Sequence, residues 1–347
     1  MAEPSAGRPR DDRQPPLVAV VMAAGKGTRL RSERPKVLHE VAGRPMLARV
    51  LATARAIGCS RLLVIVGHGA GAVREAFADE EITWVEQREQ RGTGHAVAQV
   101  EPHLDGPARL LVLSGDVPLV RPATLERVTA SAAGSWGALA VARLETPGSL
   151  GRVVVEQARL RSIVEAANAS EAERALKQIN VGLYLLPAPE IFDYLKSVEP
   201  DPVKGELYLT DAVNAAAARQ PIAACELADA TEALGINDQQ DLATAHRALL
   251  DRRVAELQEA GVTVLEPTRV AVEPEVEVAA DTVLHADVWL GGRTRVGSGC
   301  RLHQGVWIRD SRLGDNVEVA PYSVLDGADV GDGCRQCEHH MEVGHRQ

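Results

Sequence analysis

The sequence has few aromatic residues, since Phe, Trp and Tyr together make up 3% of its 347 residues. The core of such a chain must be built mainly from Leu, Val, Ile and Ala. No apolar run approaches the roughly 20 residues that a membrane-spanning helix needs, so the sequence predicts no transmembrane segment. The five cysteines are an odd number and lie far apart, which favours a reduced cytoplasmic protein over a disulfide framework.

The chain also lacks an excess of positive charge, since it has 38 Lys and Arg residues against 48 Asp and Glu residues. The formal net charge of -10 argues against a general role on nucleic acid or on an anionic membrane. Against this background, residues 26–36 carry five basic side chains and one acidic side chain. Residues 1–16 combine Arg, Asp and Pro without an apolar core, so we expect a disordered lead-in and not a signal peptide.

The most informative stretch spans residues 17–38. Its apolar run ends at once in Ala24, Gly25 and Gly27, which predicts a buried parallel strand that leads into a tight glycine loop. Because these residues are small, the backbone can approach a polyphosphate and direct N–H groups at it. The loop lacks the P-loop spacing, and Leu30 stands where a dinucleotide fingerprint needs its third glycine. The stretch therefore predicts a phosphate loop of another kind.

The motif Ala-Ala-Gly-x-Gly-Thr-Arg at residues 23–29, followed by Pro35 and Lys36, resembles the signature of the sugar-phosphate nucleotidylyltransferase family. The continuation Lys-Val-Leu-His-Glu-Val-Ala-Gly-Arg-Pro-Met-Leu is similar to the uridylyltransferases of the GlmU type. The resemblance covers roughly residues 17–330 and is strongest in the first half. It implies an enzyme that converts UTP and N-acetylglucosamine 1-phosphate to UDP-N-acetylglucosamine and pyrophosphate.

The resemblance also implies roles for the residues that match the family's motifs. We expect three catalytic cations, which are Lys26, Arg29 and Lys36. The expected nucleotide contacts are Ala23, Ala24, Gly25, Gly27, Thr28, Gln87, Gln90, Gly92 and Thr93, of which the last four would meet the uracil and ribose. The expected sugar contacts are Gly151, Glu165, Asn180, Glu206, Tyr208 and Thr210. Asn168 and Val181 differ from the Asp and Thr that relatives often carry.

Asp116 is the best candidate for a metal ligand. It follows a predicted central strand, so its carboxylate should lie at the sheet edge where the glycine loop opens. A turn or helix-capping role is the alternative. The resemblance implies Asn237 as a second ligand, although Asn237 or Asp238 could instead cap the next helix. Mg²⁺ suits this pair because it takes its remaining ligands from phosphates and water.

No general base is expected, because the attacking phosphate oxygen is already an anion. Catalysis would then rest on positioning and on charge neutralisation. The absence of an obvious catalytic histidine is consistent with this chemistry. We therefore predict structural roles for His39 and His95.

Strands that alternate with helices predict a doubly wound α/β sheet. The resemblance implies a Rossmann-like mixed sheet of the nucleotide-diphospho-sugar transferase type. A hairpin is predicted over residues 151–165, and a connecting helix over residues 242–257. We expect the nucleotidylyltransferase domain at 17–238, a helical linker at 239–261, a short β-helix at 262–335 and a tail at 336–347.

The β-helix is predicted from a repeat. Aliphatic residues recur every six positions and then continue after one five-residue step, at Val272, Val278, Leu284, Leu290, Val296, Leu302, Ile308, Leu313, Val319 and Leu325. This hexapeptide period predicts a left-handed parallel β-helix of about three or four coils. The resemblance implies that it mediates a homotrimer. Since the later coils that support acetyl transfer in bifunctional relatives have no counterpart, acetyltransferase activity is expected to be absent.

Three alternatives stay open. The enzyme could use another pair, such as dTTP and glucose 1-phosphate, because the loop and metal residues would be shared. The chain could instead be a non-catalytic sugar-nucleotide sensor or regulatory subunit. Finally, the tail could bind zinc, although it has little chain to wrap a tetrahedral site and a frayed terminus is favoured. Its candidate ligands are Cys334, Cys337, His339, His340 and His345.

Overall fold

The computed structural model describes residues 14–202 and 204–335. Most of the predicted lead-in lies outside the described residues, and so do Cys337 and the histidines of the predicted tail. The described chain divides into two compact units, the first with residues 14–39 and 45–241 and the second with residues 40–44 and 242–335. None of the described helices combines the length and the apolar character that a membrane span requires.

The first unit is built on a nine-stranded sheet. Two short strands, β2 (Glu40–Val41) and β3 (Arg44–Pro45), pair with each other outside this sheet. The nine strands of the sheet are β1 (Leu17–Ala23), β4 (Arg61–Val66), β5 (Thr83–Glu86), β6 (Ala108–Ser114), β7 (Gly137–Arg143), β8 (Arg152–Glu156), β9 (Arg159–Val164), β10 (Gln178–Ala188) and β11 (Ile222–Glu226). The α-helices are α1 (Met46–Ala56), α2 (Ala70–Ala76), α3 (Thr93–Ala98), α4 (Pro122–Ser131), α5 (Glu171–Arg174), α6 (Glu190–Ser197) and α7 (Leu209–Ala217).

The strand order of this sheet is β5-β4-β1-β6-β10-β7-β11-β9-β8. The first four strands are parallel, with Val20 of β1 opposite Leu63 on one side and Val112 on the other. Strand β10 runs antiparallel between β6 and β7, so the sheet is mixed as predicted. Because parallel strands end at one edge, the loops after β1, β5 and β6 open on the same side of the sheet.

Both faces of the sheet are covered. Along β1, Val18 and Val20 join one buried cluster, whereas Ala19 and Val21 join the other. This alternation follows from the period of two in a strand, and a continuous apolar run is what a strand buried on both faces requires. The doubly wound architecture predicted from the sequence is therefore confirmed.

The predicted hairpin is also confirmed. Strands β8 and β9 pair antiparallel, with Val153 opposite Ile163. Its turn residues Gln157 and Ala158 have φ angles of 49° and 59°. Two successive positive φ angles match the twist of the flanking strands, as in a type I′ turn.

Helix α8 (Gln239–Glu259) includes the predicted helical stretch 242–257, and its residues from 242 onward belong to the second unit. Short strands follow at a regular spacing, namely β12 (Thr263–Val264), β13 (Ala271–Val272), β14 (Glu277–Val278), β15 (Val283–Leu284), β16 (Trp289–Gly291), β17 (Arg295–Val296), β18 (Arg301–Leu302), β19 (Trp307–Arg309), β20 (Arg312–Leu313), β21 (Glu318–Val319), β22 (Val324–Asp326) and β23 (Asp329–Val330). They form three parallel sheets of four strands each.

This arrangement is the predicted left-handed β-helix. Trp289 pairs with Trp307, 18 positions later, as three hexapeptides per coil require. Arg295 pairs with Arg312, 17 positions later, so the five-residue step shortens one coil without interrupting the ladder. The aliphatic positions of the repeat point inward, and Leu284, Leu302 and Ile308 are fully buried.

One segment of the second unit was not anticipated. Residues 40–44 lie before α1 in the chain, yet they belong to this unit. The backbone N–H of Ala42 donates to His246 Nδ1 at 3.1 Å. Gly43 has a φ of 82°, and a Cβ at this position would lie 2.4 Å from the carboxylate oxygens of Glu273. The positive φ favours glycine at this turn, and a larger residue would also displace the Glu273 carboxylate.

Candidate active site

Four polar side chains of the first unit meet at the carboxyl edge of the sheet. Lys36 Nζ donates to Asp116 Oδ2, and it also donates to Asn237 Oδ1 at 3.0 Å. Arg29 Nη2 donates to the same Asn237 oxygen at 2.8 Å. The Lys36 and Asp116 side chains are only 12% and 22% exposed. Two cationic side chains therefore donate to two oxygen acceptors in a place where partial burial reduces solvent screening. We call this group of Arg29, Lys36, Asp116 and Asn237 the polar centre.

The end of β6 holds Asp116 in place. Ser114 Oγ donates to Asp116 Oδ1 at 2.6 Å, and the backbone N–H of Ile236 donates to the Asp116 carbonyl oxygen at 2.9 Å. The backbone N–H of Gly115 donates to the Met22 carbonyl oxygen at 2.9 Å, which ties this turn to β1. The carboxylate is thus oriented from several sides before any ligand binds.

Asn237 and its neighbour divide two tasks. Asp238 Oδ1 accepts from the backbone N–H groups of Gln240 and Asp241, both at 2.9 Å, and so caps α8. Asn237 donates from its Nδ2 to the Gly235 carbonyl oxygen at 3.2 Å. Its Oδ1 is therefore directed toward Lys36 and Arg29, and the capping role falls to Asp238.

The glycine loop gives Lys36 its path to this centre. Gly27 has a φ of 61°, and a Cβ at this position would lie 2.6 Å from Lys36 Cβ. A side chain there would be strained and would also displace the lysine. At Gly25 nothing lies within 4 Å of such a Cβ, so the backbone is open to a ligand. Lys26 and Thr28 are exposed on the same loop.

A cleft with a volume of about 280 Å³ adjoins the polar centre, which is close to the lower end of the range of small-molecule sites. Its lining combines predicted nucleotide contacts with Lys36 and Asp116. The lining residues are Met22, Ala23, Ala24, Gly25, Lys36, Val37, Gln87, Gln90, Gly92, Thr93, Ala96, Ser114, Asp116 and Glu206. The structure thus brings together both halves of the predicted nucleotide set, from the loops after β1 and β5.

The loop after β5 is held rigidly. Gly92 has a φ of 96°, and a Cβ there would lie 2.5 Å from the Leu207 carbonyl oxygen. Thr93 Oγ1 accepts from the backbone N–H of Leu209 at 3.0 Å. Gln87 is 3% exposed, and its Nε2 donates to the Gly92 carbonyl oxygen at 3.1 Å. These contacts fix the loop before a nucleotide arrives.

Four of the predicted sugar residues converge next to one another. Thr210 Oγ1 donates to Glu165 Oε1 at 3.1 Å, and the backbone N–H of Asn180 donates to the Gly151 carbonyl oxygen at 2.9 Å. A Cβ at Gly151 would lie 3.5 Å from Glu165 Oε2. The absence of a side chain at Gly151 keeps the space beside this carboxylate open.

The other two predicted sugar residues form a pair. Glu206 is hydrogen-bonded to Tyr208, and burial first and this carboxylate second raise the pKa of the Tyr208 hydroxyl. Tyr208 and Glu165 border a second hollow, which Asn168 also lines. Val181 instead packs in the buried core of the sheet and lines a different, largely apolar hollow, so of the two departures from the family's pattern only Asn168 borders the hollow beside Tyr208 and Glu165.

Sequence reasoning missed two residues that support the site. Ser114 orients Asp116, and His95 at the start of α3 contacts Gln87 in the loop after β5, with 3.0 Å between Gln87 Nε2 and His95 Nδ1. The signal for Ser114 was its position two residues before Asp116 at the end of the strand. The predicted structural role of His95 gave no partner, because a helix that starts six residues after Gln87 does not determine which side chains meet.

The oxygen donors of the polar centre fit a magnesium ion. No group of three or more His, Cys, Asp or Glu side chains suited to a metal occurs among residues 14–202 and 204–335. Asp116 Oδ2 and Asn237 Oδ1 nevertheless both contact the Lys36 ammonium, so one cation can already bridge them. One carboxylate and one amide oxygen are sufficient protein ligands for Mg²⁺.

Solved structures share this architecture. A UDP-glucose pyrophosphorylase complexed with UDP-glucose matches with a TM-score of 0.56 and 19% identity, over 69% of this chain and all of that chain. A putative glucose-1-phosphate thymidylyltransferase from Bacillus anthracis matches with a TM-score of 0.53 and 19% identity, over 66% of this chain and 94% of that chain. At such identities the likeness establishes the fold alone. A family profile, the MobA-like NTP transferase domain, matches residues 19–181. The first unit thus has the fold of nucleotidyltransferases.

Curated relatives narrow this class. The bifunctional protein GlmU of Syntrophotalea carbinolica is 45% identical over 90% of this chain and 68% of the relative. That of an Anaeromyxobacter species is 43% identical over 91% of this chain and 66% of the relative. The chain belongs to the GlmU family, which confirms the resemblance seen in the sequence. It spans about two thirds of the length of these relatives.

Proposed function

We propose that the chain is a Mg²⁺-dependent uridylyltransferase that converts UTP and N-acetyl-α-D-glucosamine 1-phosphate to UDP-N-acetylglucosamine and pyrophosphate. Membership of the GlmU family supports the choice of substrates. The observation that carries the proposal is the contact of one ammonium group, that of Lys36, with both Asp116 and Asn237 at the wall of the cleft. This centre offers charge neutralisation beside an open glycine loop.

The reaction joins two polyanions. An oxygen of the sugar phosphate attacks the α-phosphorus of UTP in line, a new P–O bond forms, and the bond to the β-phosphate breaks to release pyrophosphate. The attacking oxygen is already deprotonated, so the site needs no general base. Positioning and electrostatic stabilisation then account for the catalysis.

The residues divide this work by position. Gly25 and Gly27 offer backbone N–H groups to the triphosphate, and the exposed Lys26 neutralises its charge. Arg29 and Lys36, which already converge on Asn237, stabilise the charge that develops at the α-phosphate and on the leaving pyrophosphate. When bound, Mg²⁺ supplies further neutralisation of phosphate charge, and Asp116 and Asn237 would hold it.

The sugar is assigned to the cluster of Gly151, Glu165, Asn180 and Thr210. Glu165 Oε1 already accepts from Thr210, and the space over Gly151 leaves its other oxygen open to a sugar hydroxyl or amide. Tyr208 and Glu206 would close the pocket between this cluster and the nucleotide. Asn168, at the border of the second hollow, is the position from which an altered sugar preference would arise.

A pyrophosphate-release assay tests the proposal directly. The purified chain is offered UTP, CTP, dTTP, ATP and GTP, each with N-acetylglucosamine 1-phosphate or glucose 1-phosphate. We expect the fastest release with UTP and N-acetylglucosamine 1-phosphate, and loss of release in excess EDTA that added Mg²⁺ reverses. Preference for dTTP and glucose 1-phosphate would overturn the substrate assignment. Binding of UDP-N-acetylglucosamine without any turnover would identify a sensor instead.

Three expectations from the sequence stay predictions. The homotrimer is tested by sedimentation of the chain in solution, and the cytoplasmic location by fractionation of cells. Acetyl transfer to glucosamine 1-phosphate forms no part of this proposal, since no described residue is assigned to it.

A further inference from the structure

The Gln87 side chain is an amide whose orientation the surrounding groups determine. Its Nε2 lies 3.1 Å from the Gly92 carbonyl oxygen. A carbonyl oxygen can only accept a hydrogen bond, so the amide atom that faces it must be the nitrogen and not the oxygen. The orientation of the amide group therefore follows from its neighbour and not from the labelling of two similar atoms.

The second hydrogen of the same nitrogen faces His95. Gln87 Nε2 lies 3.0 Å from His95 Nδ1, which must be the accepting nitrogen of a neutral ring because Gln87 donates. The other ring contact is longer, at 3.3 Å between Gln99 Nε2 and His95 Nε2. Gln99 Nε2 also donates to the His95 carbonyl oxygen at 3.1 Å. A neutral imidazole has one accepting nitrogen, and the shorter contact assigns it to Nδ1.

Both hydrogens of the Gln87 amide are thus committed inside the protein. The side chain is 3% exposed and lines the cleft. None of the residues from 14 to 202 and from 204 to 335 donates a hydrogen bond to its Oε1. The one polar atom that Gln87 can offer to a ligand is consequently an acceptor.

We infer that His95 is a positioning residue that holds the Gln87 amide with its oxygen toward the cleft, so that the site selects a pyrimidine with an N3–H donor. Uracil and thymine carry a hydrogen at N3, whereas cytosine presents a lone pair there. In the same pose, cytosine N3 would face Gln87 Oε1 as a second acceptor. Rotation of the amide would accommodate cytosine, and this rotation costs the hydrogen bonds to His95 and to Gly92. The inference rests on the proposed function, because it assigns the base of the nucleotide to this part of the cleft.

The test compares two substitutions at one position. His95→Asn keeps an acceptor near the position of Nδ1, whereas His95→Leu has a similar size and offers none. The ratio of kcat/KM for UTP to kcat/KM for CTP is measured for wild type, for both variants and for Gln99→Ala, which removes both contacts of Gln99 to His95 but leaves the contact of His95 Nδ1 with Gln87. Dissociation constants for UTP and CTP are measured by titration calorimetry, so that selectivity is also obtained without turnover. Thermal unfolding verifies that each variant is folded.

We expect His95→Leu to lower the UTP-to-CTP ratio about tenfold or more, the scale of one hydrogen bond that discriminates between ligands. The change should appear mainly in KM and in the dissociation constants. His95→Asn and Gln99→Ala should keep the wild-type ratio within about threefold. If His95→Leu does not fold, His95→Ala carries the same prediction.

Two results would overturn the inference. One is an unchanged ratio in folded His95→Leu, and the other is an equal loss of selectivity in His95→Asn. A wild-type chain that discriminates between UTP and CTP in binding but releases no pyrophosphate would refute the proposed function alone. A wild-type chain that binds UTP and CTP equally would refute the inference even if turnover is rapid.

Discussion

The two compact units of the chain position their side chains by different means. In the first unit the decisive contacts occur once each and join distant parts of the sequence, as Lys36 does with Asp116 and Arg29 with Asn237. In the second unit the same contact recurs from coil to coil. In one of its sheets, four aliphatic side chains lie beside one another in successive strands, namely Val264, Leu284, Leu302 and Val319.

This difference bears on what a substitution should do. A contact that occurs once cannot be replaced by a neighbour, so its loss should appear in the reaction rate. A contact that recurs is supported by the coils above and below it, and its loss should appear as a change in stability that is similar from coil to coil. Four predictions, taken in order of decreasing expected effect, test this contrast.

Lys36→Ala should have the largest effect. It removes the ammonium that contacts Asp116 and Asn237, and turnover should fall roughly 10²- to 10³-fold, as when one preorganised electrostatic group is lost. Asp116→Ala should cost a similar factor. The measurement is kcat for pyrophosphate release at saturating substrates.

The matched control for these variants is Lys177→Ala. Lys177 also pairs with a carboxylate, that of Glu145, but on an exposed surface where such pairs contribute little. Its turnover should equal that of the wild type. Wild-type turnover in both Lys36→Ala and Asp116→Ala would refute the assignment of the site.

The regular unit is also the one that the sequence predicts best. The hexapeptide period alone predicts which residues point inward, and even the five-residue step after Ile308 appears as a coil shortened to 17 residues, with Arg295 opposite Arg312. The parallel direction of the first four strands of the large sheet follows from their alternation with helices. The position of β10 between β6 and β7 does not, since it depends on non-local pairing that no local pattern encodes.

Side-chain contacts within the site were predictable only through the resemblance. The motifs identify Lys36, Asp116 and Asn237 as members of one site, but not that a single ammonium joins them. The contact between Gln87 and His95 and the placement of residues 40–44 in the second unit were missed. Both features depend on contacts between residues that are close in space. The local sequence around these residues predicts only a turn or the start of a helix.

Leu284→Ala and Leu302→Ala should come next. Both side chains are fully buried and occupy the same column of the β-helix, so each truncation should lower the free energy of unfolding by about 2–3 kcal/mol, with the two values within about 1 kcal/mol of each other. We expect kcat to stay near the wild-type value. Urea unfolding of the second unit provides the measurement, and Leu265→Ala, which truncates a side chain that is 54% exposed, is the control. Unequal costs, or a parallel loss of turnover, would break the contrast between the units.

Gly27→Ala should lower turnover by about tenfold, although it removes no charge. The added Cβ would lie 2.6 Å from Lys36 Cβ, and a small displacement of a catalytic group is sufficient for such a loss. Gly58→Ala is a matched control, because Gly58 has a similar positive φ of 81° but nothing within 4 Å of a Cβ. It should lose stability through backbone strain and keep its kcat. Equal kcat values in the two variants would mean that Gly27 does not set the position of Lys36.

The smallest effect should come from a histidine pair of the β-helix that is not repeated in the other coils. His285 and His303 lie with ring centroids 4.9 Å apart, and burial, His303 and Arg301 lower the pKa of His285 from its usual 6.5. A histidine with a lower pKa in the folded chain binds fewer protons there than in the unfolded chain, so its contribution to stability is complete above pH 6.5 and is lost as the pH falls below that value.

Acidification from pH 7.5 to 5.5 should therefore lower the Tm of the second unit by about 2 °C more in the wild type than in His285→Asn. Glu318, which accepts from His303, has a pKa below its usual 4.5 and does not titrate in this interval. The control is His68→Asn, at an exposed histidine, which should leave the pH dependence of the Tm unchanged. An equal fall in Tm for wild type and His285→Asn would mean that the pair of His285 and His303 behaves like the repeated contacts around it.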